Sequence, residues 1–437
     1  MRHGHVEAAV TKSQHIRTTR VTRADLDAAV FGAAVLLLAL HPLDLALWHQ
    51  SGSAVVRGAL LIGAVLLVTV AWPMFVTRGR FTRALLAAAF GVAAIVVALS
   101  VAVPHVALVG AGGSDYSGVL LGVGGAVLVV LGFRVSLRGR PRALQVASGI
   151  ATAFVIAQWL VAPAINAGLA TTAPVRSAVS AHTLGIPGAR DVSFRARDGV
   201  PLAGWYVPSR NGATVLLLHG SHGSRMDTLA HLRMLTGLGY GVLAYDARGH
   251  GRSAGQTNAL GWRGTDDIPG AISFLERQPG VDRHRIAALG LSMGAEEALR
   301  AAASGVPLRA VIADGAGAST LGDSELTEPA LGPVFVSVTW LTMRGVEVLS
   351  GEREPESLEA AVASIRVPTL LIASGRSGER TIDSAYRDRI GVRASLWLVP
   401  DAGHTKALER HPQAYTERVT AFLANALRLN SHSSKAR

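Results

Sequence analysis

Residues 286–304 read IAALGLSMGAEEALRAAAS. The apolar run Ile286–Leu289 has the length and composition of a buried strand. Gly290-Leu291-Ser292-Met293-Gly294 follows it directly, and the stretch 293–304 then takes on the Ala- and Leu-rich character of a helix. A serine flanked by glycines, on a tight turn between strand and helix, is placed to expose its hydroxyl at the end of a sheet. The glycines let neighbouring chain pack closely, the serine backbone is strained, and the positive end of the helix points back at the hydroxyl. G-x-S-x-G alone arises often by chance. Its position between a strand and a helix gives it meaning here.

Outward from this stretch the same alternation continues. Asp191–Arg197 and Leu202–Val207 alternate apolar and polar residues around Asp198-Gly199 and read as a hairpin. Short apolar runs follow at Thr214–Leu218, Gly241–Tyr245, Ala310–Ala313, Thr369–Ala373 and Ser395–Val399, with helical stretches near 227–238, 264–278 and 412–428. Buried strands alternating with covering helices predict an α/β fold built on a mostly parallel sheet. Leu321–Ile365 interrupts the rhythm. It contains the apolar stretch Val334–Leu349 and is read as a small cap over the site, with a membrane-touching helix as the alternative.

A serine hydroxyl needs a base. His404, in the loop after the last predicted strand, would reach the same sheet edge as Ser292. The acid that orients it belongs after the strand Thr369–Ala373. Glu379 is favoured there, with Asp383 as runner-up and Asp314, after an earlier strand, as a third candidate. The amide of Met293 is the first expected oxyanion donor. The second lies in His219-Gly220-Ser221-His222-Gly223 and is read as the Ser221 amide, with that of His222 as alternative. His219 is read as structural. Asp246, Arg248 and His250 could suggest a metal or phosphate site, but no second ligand cluster supports a metal, and a turn bracing the site is preferred. No metal or cofactor is expected.

The first half has a different composition. Apolar runs stand at about 28–48, 58–77, 84–103, 117–133 and 143–165, each near the roughly 17–25 residues that cross a hydrocarbon core. The first is the weakest, since it takes in His41, Pro42 and Asp44, and it could be tilted or re-entrant. It lies too far from Met1 for a cleaved signal and is read as an uncleaved span. Gly122, Gly124 and Gly125 would suit close helix packing. His41, His105 and Asp115, near span ends, read as solvated interfacial residues.

The net charge of +12 follows this division. Residues 1–185 hold 14 Lys+Arg against 5 Asp+Glu, and the remainder 28 against 25. The basic clusters fall on alternate loops: Lys12, Arg17, Arg20 and Arg23; then Arg78, Arg80 and Arg83; then Arg134, Arg138, Arg140 and Arg142. That pattern argues against nucleic-acid binding and for a multi-pass protein with a cytoplasmic N-terminus. Five spans would put the chain beyond residue 165 on the extracytoplasmic side. The organisation expected is a basic tail 1–27, spans over 28–165, a linker 166–190, a catalytic domain 191–430 with its cap at 321–365, and a tail 431–437. With no cysteine, disulfides and a thiolate nucleophile are excluded.

The loop His219-Gly220, the Asp246–Ser253 turn, the Ser292 elbow and the terminal His404 together resemble the α/β-hydrolase superfamily over about residues 190–428. The resemblance is to its serine aminopeptidase-like and dipeptidyl-peptidase-like branch, which includes esterases and thioesterases. It implies an α/β-hydrolase fold, a triad in the order Ser292, acid, His404, and no cofactor. The departure is at the acid: the usual Gly-x-x-Asp would put an aspartate where Gly378 stands, and the nearest acid is Glu379. Acyl transfer on an ester is the expected chemistry, with amides or short peptides next. A non-catalytic scaffold or sensor, or a transporter with an appended domain, is the competing reading.

Overall fold

The computed structural model describes residues 22–47, 54–102, 106, 115–172, 179–256, 259–327, 332–375 and 377–428. Most of the basic N-terminal tail, His105, the side chain of Asp115 and the tail 431–437 lie outside these residues.

Among the described residues, five helices are long and apolar enough to cross a membrane: α1 (Arg23–Leu47), α2 (Ala54–Thr77), α3 (Arg80–Ala102), α4 (Asp115–Ser136) and α5 (Arg142–Thr171). α3 and α5 each contain a short π-helical stretch, at Ala98–Ala102 and Ala157–Val161. The glycines pack helices closely, as the sequence suggests. A Cβ on Gly124 would stand 2.7 Å from Leu38 Cδ1, and one on Gly122 would stand 3.0 Å from Ala98 Cβ. Phe31 stacks on Phe75 with centroids 4.0 Å apart, and Arg138 pairs with Asp27 at 2.5 Å. The residues 166–171, read as linker, belong to α5, which runs on to Thr171 without a break.

The second half builds on a sheet in the order β1-β2-β4-β3-β5-β6-β7-β8. β1 (Arg190–Arg195) and β2 (Pro201–Val207) form the expected hairpin, and β2 pairs antiparallel with β4 (Gly241–Tyr245). From β4 through β3 (Thr214–Leu218), β5 (Ile286–Leu291), β6 (Ala310–Asp314), β7 (Thr369–Ser374) and β8 (Ala394–Val399) every pairing is parallel.

The period-two logic of a strand sends alternate residues to opposite layers. Leu216 and Leu218 join one buried cluster; Val215 and Leu217 join the other. The first layer is covered by α7 (Gly264–Glu276), α8 (Met293–Ala303), α11 (Leu358–Ala361) and α12 (Ser377–Ile390). The second is covered by α6 (Leu229–Gly237), α13 (Ala407–Arg410) and α14 (Pro412–Ala426). Between β6 and β7 the insertion contributes α9 (Leu321–Glu325) and α10 (Gly332–Ser350). The register places Leu291 beside Asp314 and Ser374 beside Val399. The loops that follow β5, β6, β7 and β8 therefore leave the sheet at one edge.

Candidate active site

Ser292 stands between β5 and α8 at φ 52°, in the left-handed region that a non-glycine residue occupies only under constraint. Two glycines make the turn possible. A Cβ on Gly290 would collide with the carbonyl oxygen of Gly294, and one on Gly294 would stand 2.7 Å from the carbonyl oxygen of His219. The Ser292 amide donates to the Asp314 carbonyl at 2.9 Å, fixing the turn to β6.

His404 Nε2 lies 2.9 Å from Ser292 Oγ, and its Nδ1 lies 2.6 Å from Glu379 Oε1. An ionised carboxylate only accepts, so the imidazole proton sits on Nδ1 and Nε2 is free to receive the serine proton. Glu379, in the first turn of α12, accepts with its other oxygen from the Ser374 amide at 2.9 Å and the Ser374 hydroxyl at 2.5 Å. Burial pushes its pKa up, but the hydrogen bonds from His404 and Ser374 outweigh burial and hold it below the usual glutamate value. Gly315 packs against the ring: a Cβ there would stand 3.1 Å from His404 Cε1.

The structure thus brings Ser292, His404 and Glu379 into one line. It does not bring the other two acids to the imidazole. The Asp314 carboxylate accepts from Tyr415 Oη at 2.9 Å, and burial raises its pKa to about 7. Asp383 is fully buried, and its carboxylate has no hydrogen-bond partner among the described residues; burial, then the neighbouring Glu379, Asp314 and Glu296, raise its pKa well above the usual carboxylate value.

A cavity of about 650 Å³ opens above Ser292, with Gly220, Ser221, His231, His404 and Lys406 in its walls. Gly220 lies close under Ser292, since a Cβ on it would stand 3.3 Å from Ser292 Cβ. Met293 is the first residue of α8, so its N–H is one of the unpaired leading amides of a helix. No sequence pattern singles out His231. It is buried in this wall with neither ring nitrogen bonded among the described residues, and burial lowers its pKa to about 4. None of the described residues of 321–365 is among those lining this cavity. α10 instead packs along α5: Trp159 Nε1 donates to Ser337 Oγ at 2.9 Å.

The Asp246–Ser253 turn is a brace. Asp246 accepts from the Arg225 amide at 2.8 Å, Arg225 Nη1 at 3.0 Å and the Arg252 amide at 2.8 Å. Arg248 is clamped between Asp198 at 2.7 Å and Asp267 at 2.6 Å. His219 Nε2 accepts from the Ala247 amide at 3.0 Å, which ties this turn to the loop after β3. His222, at φ 55°, sends Nε2 to the Leu169 carbonyl in the last turn of α5 at 2.5 Å. Among the described residues no group of three or more His, Asp or Glu side chains is placed to hold a metal ion.

A mostly parallel sheet with a serine on a strained strand-to-helix turn, faced by a histidine from beyond the last strand, defines the α/β-hydrolase fold. Residues 215–418 match the Alpha/beta hydrolase family. The uncharacterized protein Rv2307c of Mycobacterium tuberculosis is 31% identical over 239 residues, which cover 53% of this chain and 76% of that protein. The uncharacterized protein YfhR of Escherichia coli K12 is 28% identical over 252 residues, covering 55% of this chain and 82% of that one. Among solved structures, the Pyrococcus furiosus esterase Pf2001 aligns at 24% identity and a TM-score of 0.49, over 58% of this chain and 97% of its own. The chain belongs to the Alpha/beta hydrolase family, and the five apolar helices precede its hydrolase domain.

Proposed function

We propose that this chain is a membrane-anchored serine hydrolase that cleaves carboxylic esters through an acyl-enzyme, with Ser292 as nucleophile, His404 as general base and Glu379 as the orienting acid. The observation that carries the reading is the continuous hydrogen-bonded line from Ser292 Oγ through both nitrogens of His404 to Glu379. His404 Nε2 takes the serine proton as Oγ attacks the carbonyl carbon, and then gives it to the departing alkoxide. The Nδ1 proton stays on the imidazole, stabilised by the Glu379 carboxylate. The Met293 and Ser221 amides are assigned to the oxyanion, a role that suits the unpaired start of α8 and a loop in the cavity wall. Water then repeats the cycle on the acyl-enzyme.

Amides, short peptides and thioesters are alternative substrates for the same machinery. The five apolar helices fit a multi-pass anchor in the lipid bilayer, and the alternation of basic loops supports a hydrolase domain on the extracytoplasmic face. Reaction with a fluorophosphonate probe tests the assignment. Wild type becomes labelled and Ser292→Ala does not. Folded wild-type protein that stays unlabelled would overturn it in favour of a scaffold or sensor.

A further inference from the structure

Away from the Ser292 cavity lies a second hollow of about 310 Å³. Val96 and Ser100 of α3 form one wall, Trp159 and Ala164 of α5 the next, and Leu341 and Val348 of α10 the third. Most polar groups around it are occupied, while Arg344 Nε is buried with no hydrogen-bond partner among the described residues. Trp159 Nε1 donates to Ser337, Ser100 Oγ donates to the Val97 carbonyl, and the Arg344 terminal nitrogens are held by Glu347 and Glu354 at 2.5 and 2.6 Å. The hollow therefore suits an uncharged, mostly apolar ligand.

Its depth identifies the surroundings. Val96 stands 16 residues beyond Arg80, and Trp159 stands 17 beyond Arg142, the basic residues that open the two helices. At about 1.5 Å per residue both lie about 25 Å along. That is the far edge of a hydrocarbon core of roughly 30 Å, in the leaflet opposite the arginines. α10 reaches the same level and runs in step with α5. Ser337 meets Trp159, and a Cβ on Gly345 would stand 2.7 Å from Ala167 Cβ. Its residues Val336, Trp340 and Val348, spaced by four and eight, are exposed. An apolar stripe on a helix fastened to a span from that depth outward runs from the edge of the lipid chains into the headgroup layer.

A chain of contacts also runs from the hollow to the elbow. Ala167 packs in one cluster with Trp262, Met343 and Val346, and a Cβ on Gly261, the neighbour of Trp262, would stand 3.0 Å from Met293 Cγ. On the same side His222 joins the loop under the nucleophile to the end of α5. We infer that the hollow between α3, α5 and α10 holds the acyl chain of a long-chain ester drawn from the adjoining leaflet, so that the substrate class is a membrane-borne amphiphile. The inference rests on the serine-hydrolase reading for its chemistry. For the site it rests only on the hollow.

The test uses the full chain in lipid nanodiscs and compares kcat/KM for a dodecanoyl and an acetyl p-nitrophenyl ester. Wild type favours the long ester. Ala164→Phe, which fills the hollow, and Val348→Glu, at an exposed rim position, each lower the long-to-short ratio at least tenfold. A wild-type ratio near one, or a ratio that neither variant changes, overturns the inference. Fluorophosphonate labelling of the same samples separates the two failures. Labelled enzyme with no chain preference defeats only the inference, whereas unlabelled folded enzyme defeats the hydrolase reading beneath it.

Discussion

Glu379 and Asp383 lie one turn apart on α12, both shut away from solvent, yet their charge states are driven in opposite directions. Glu379 receives three donors, from the His404 ring, the Ser374 amide and the Ser374 hydroxyl, and these hold it ionised. Asp383 receives none among the described residues and faces Glu379, Asp314 and Glu296, so burial and like charge both favour its protonated form. Place on a helix does not decide the charge of a buried carboxyl. The donors gathered around it do.

The sharpest way to break this contrast is to exchange the charges. Glu379→Gln should lower kcat/KM on a p-nitrophenyl ester by about 10³–10⁴-fold, because an amide no longer holds the imidazole in the required tautomer. Asp383→Asn should leave most of that activity. The reverse ranking in a steady-state assay would assign the acid to Asp383.

A second effect is on stability. A carboxyl whose folded pKa is raised contributes its full stability below the unfolded value near 3.8, and that contribution is lost as pH climbs towards the folded value. Removing the titrating group should therefore favour Asp383→Asn over wild type increasingly from pH 5 to pH 8. The gap should grow by at most about 1.4 kcal/mol per pH unit. Denaturant unfolding at the two pH values measures it, and a constant gap would mean that Asp383 is already solvated or ionised.

Ser374→Ala removes one donor from Glu379 and should cost roughly tenfold in kcat/KM, the scale of one hydrogen bond to a charged group. Glu379 is ionised above its folded pKa and loses its charge as pH falls through it. The variant raises that pKa, so the acid limb of the pH–rate profile should move to higher pH. Tyr415→Phe, which takes the donor from Asp314, should be the mildest change: about 1 kcal/mol of stability in thermal melts, with little loss of rate.

The elbow is legible in the sequence because its constraints act within five residues. Gly290 and Gly294 are required by contacts the turn makes with itself and with the chain beside it. The strands are legible for a similar reason, since sheet burial demands unbroken apolar runs. The helix that carries Glu379 is not evident there, because its sequence is dominated by charged and polar residues. Its signal is the buried series Ile382, Tyr386, Ile390, spaced by four. The reach of α5 to Thr171 is hidden because Asn166 and Gly168 suggest a break, while Ala164 and Ala167 are buried and keep the helix packed. His231 is placed by tertiary packing alone, and no local pattern announces it.

The bond between His222 and the Leu169 carbonyl bears on how the hydrolase can be isolated. A fragment begun at residue 179 would keep every strand and all three members of the Ser292–His404–Glu379 line. It would also lose an acceptor from outside the domain that steadies a left-handed residue next to Ser221. Excised in this way the enzyme should still react with a serine probe but turn over slowly, and lengthening the fragment to include the last turn of α5 should restore the rate.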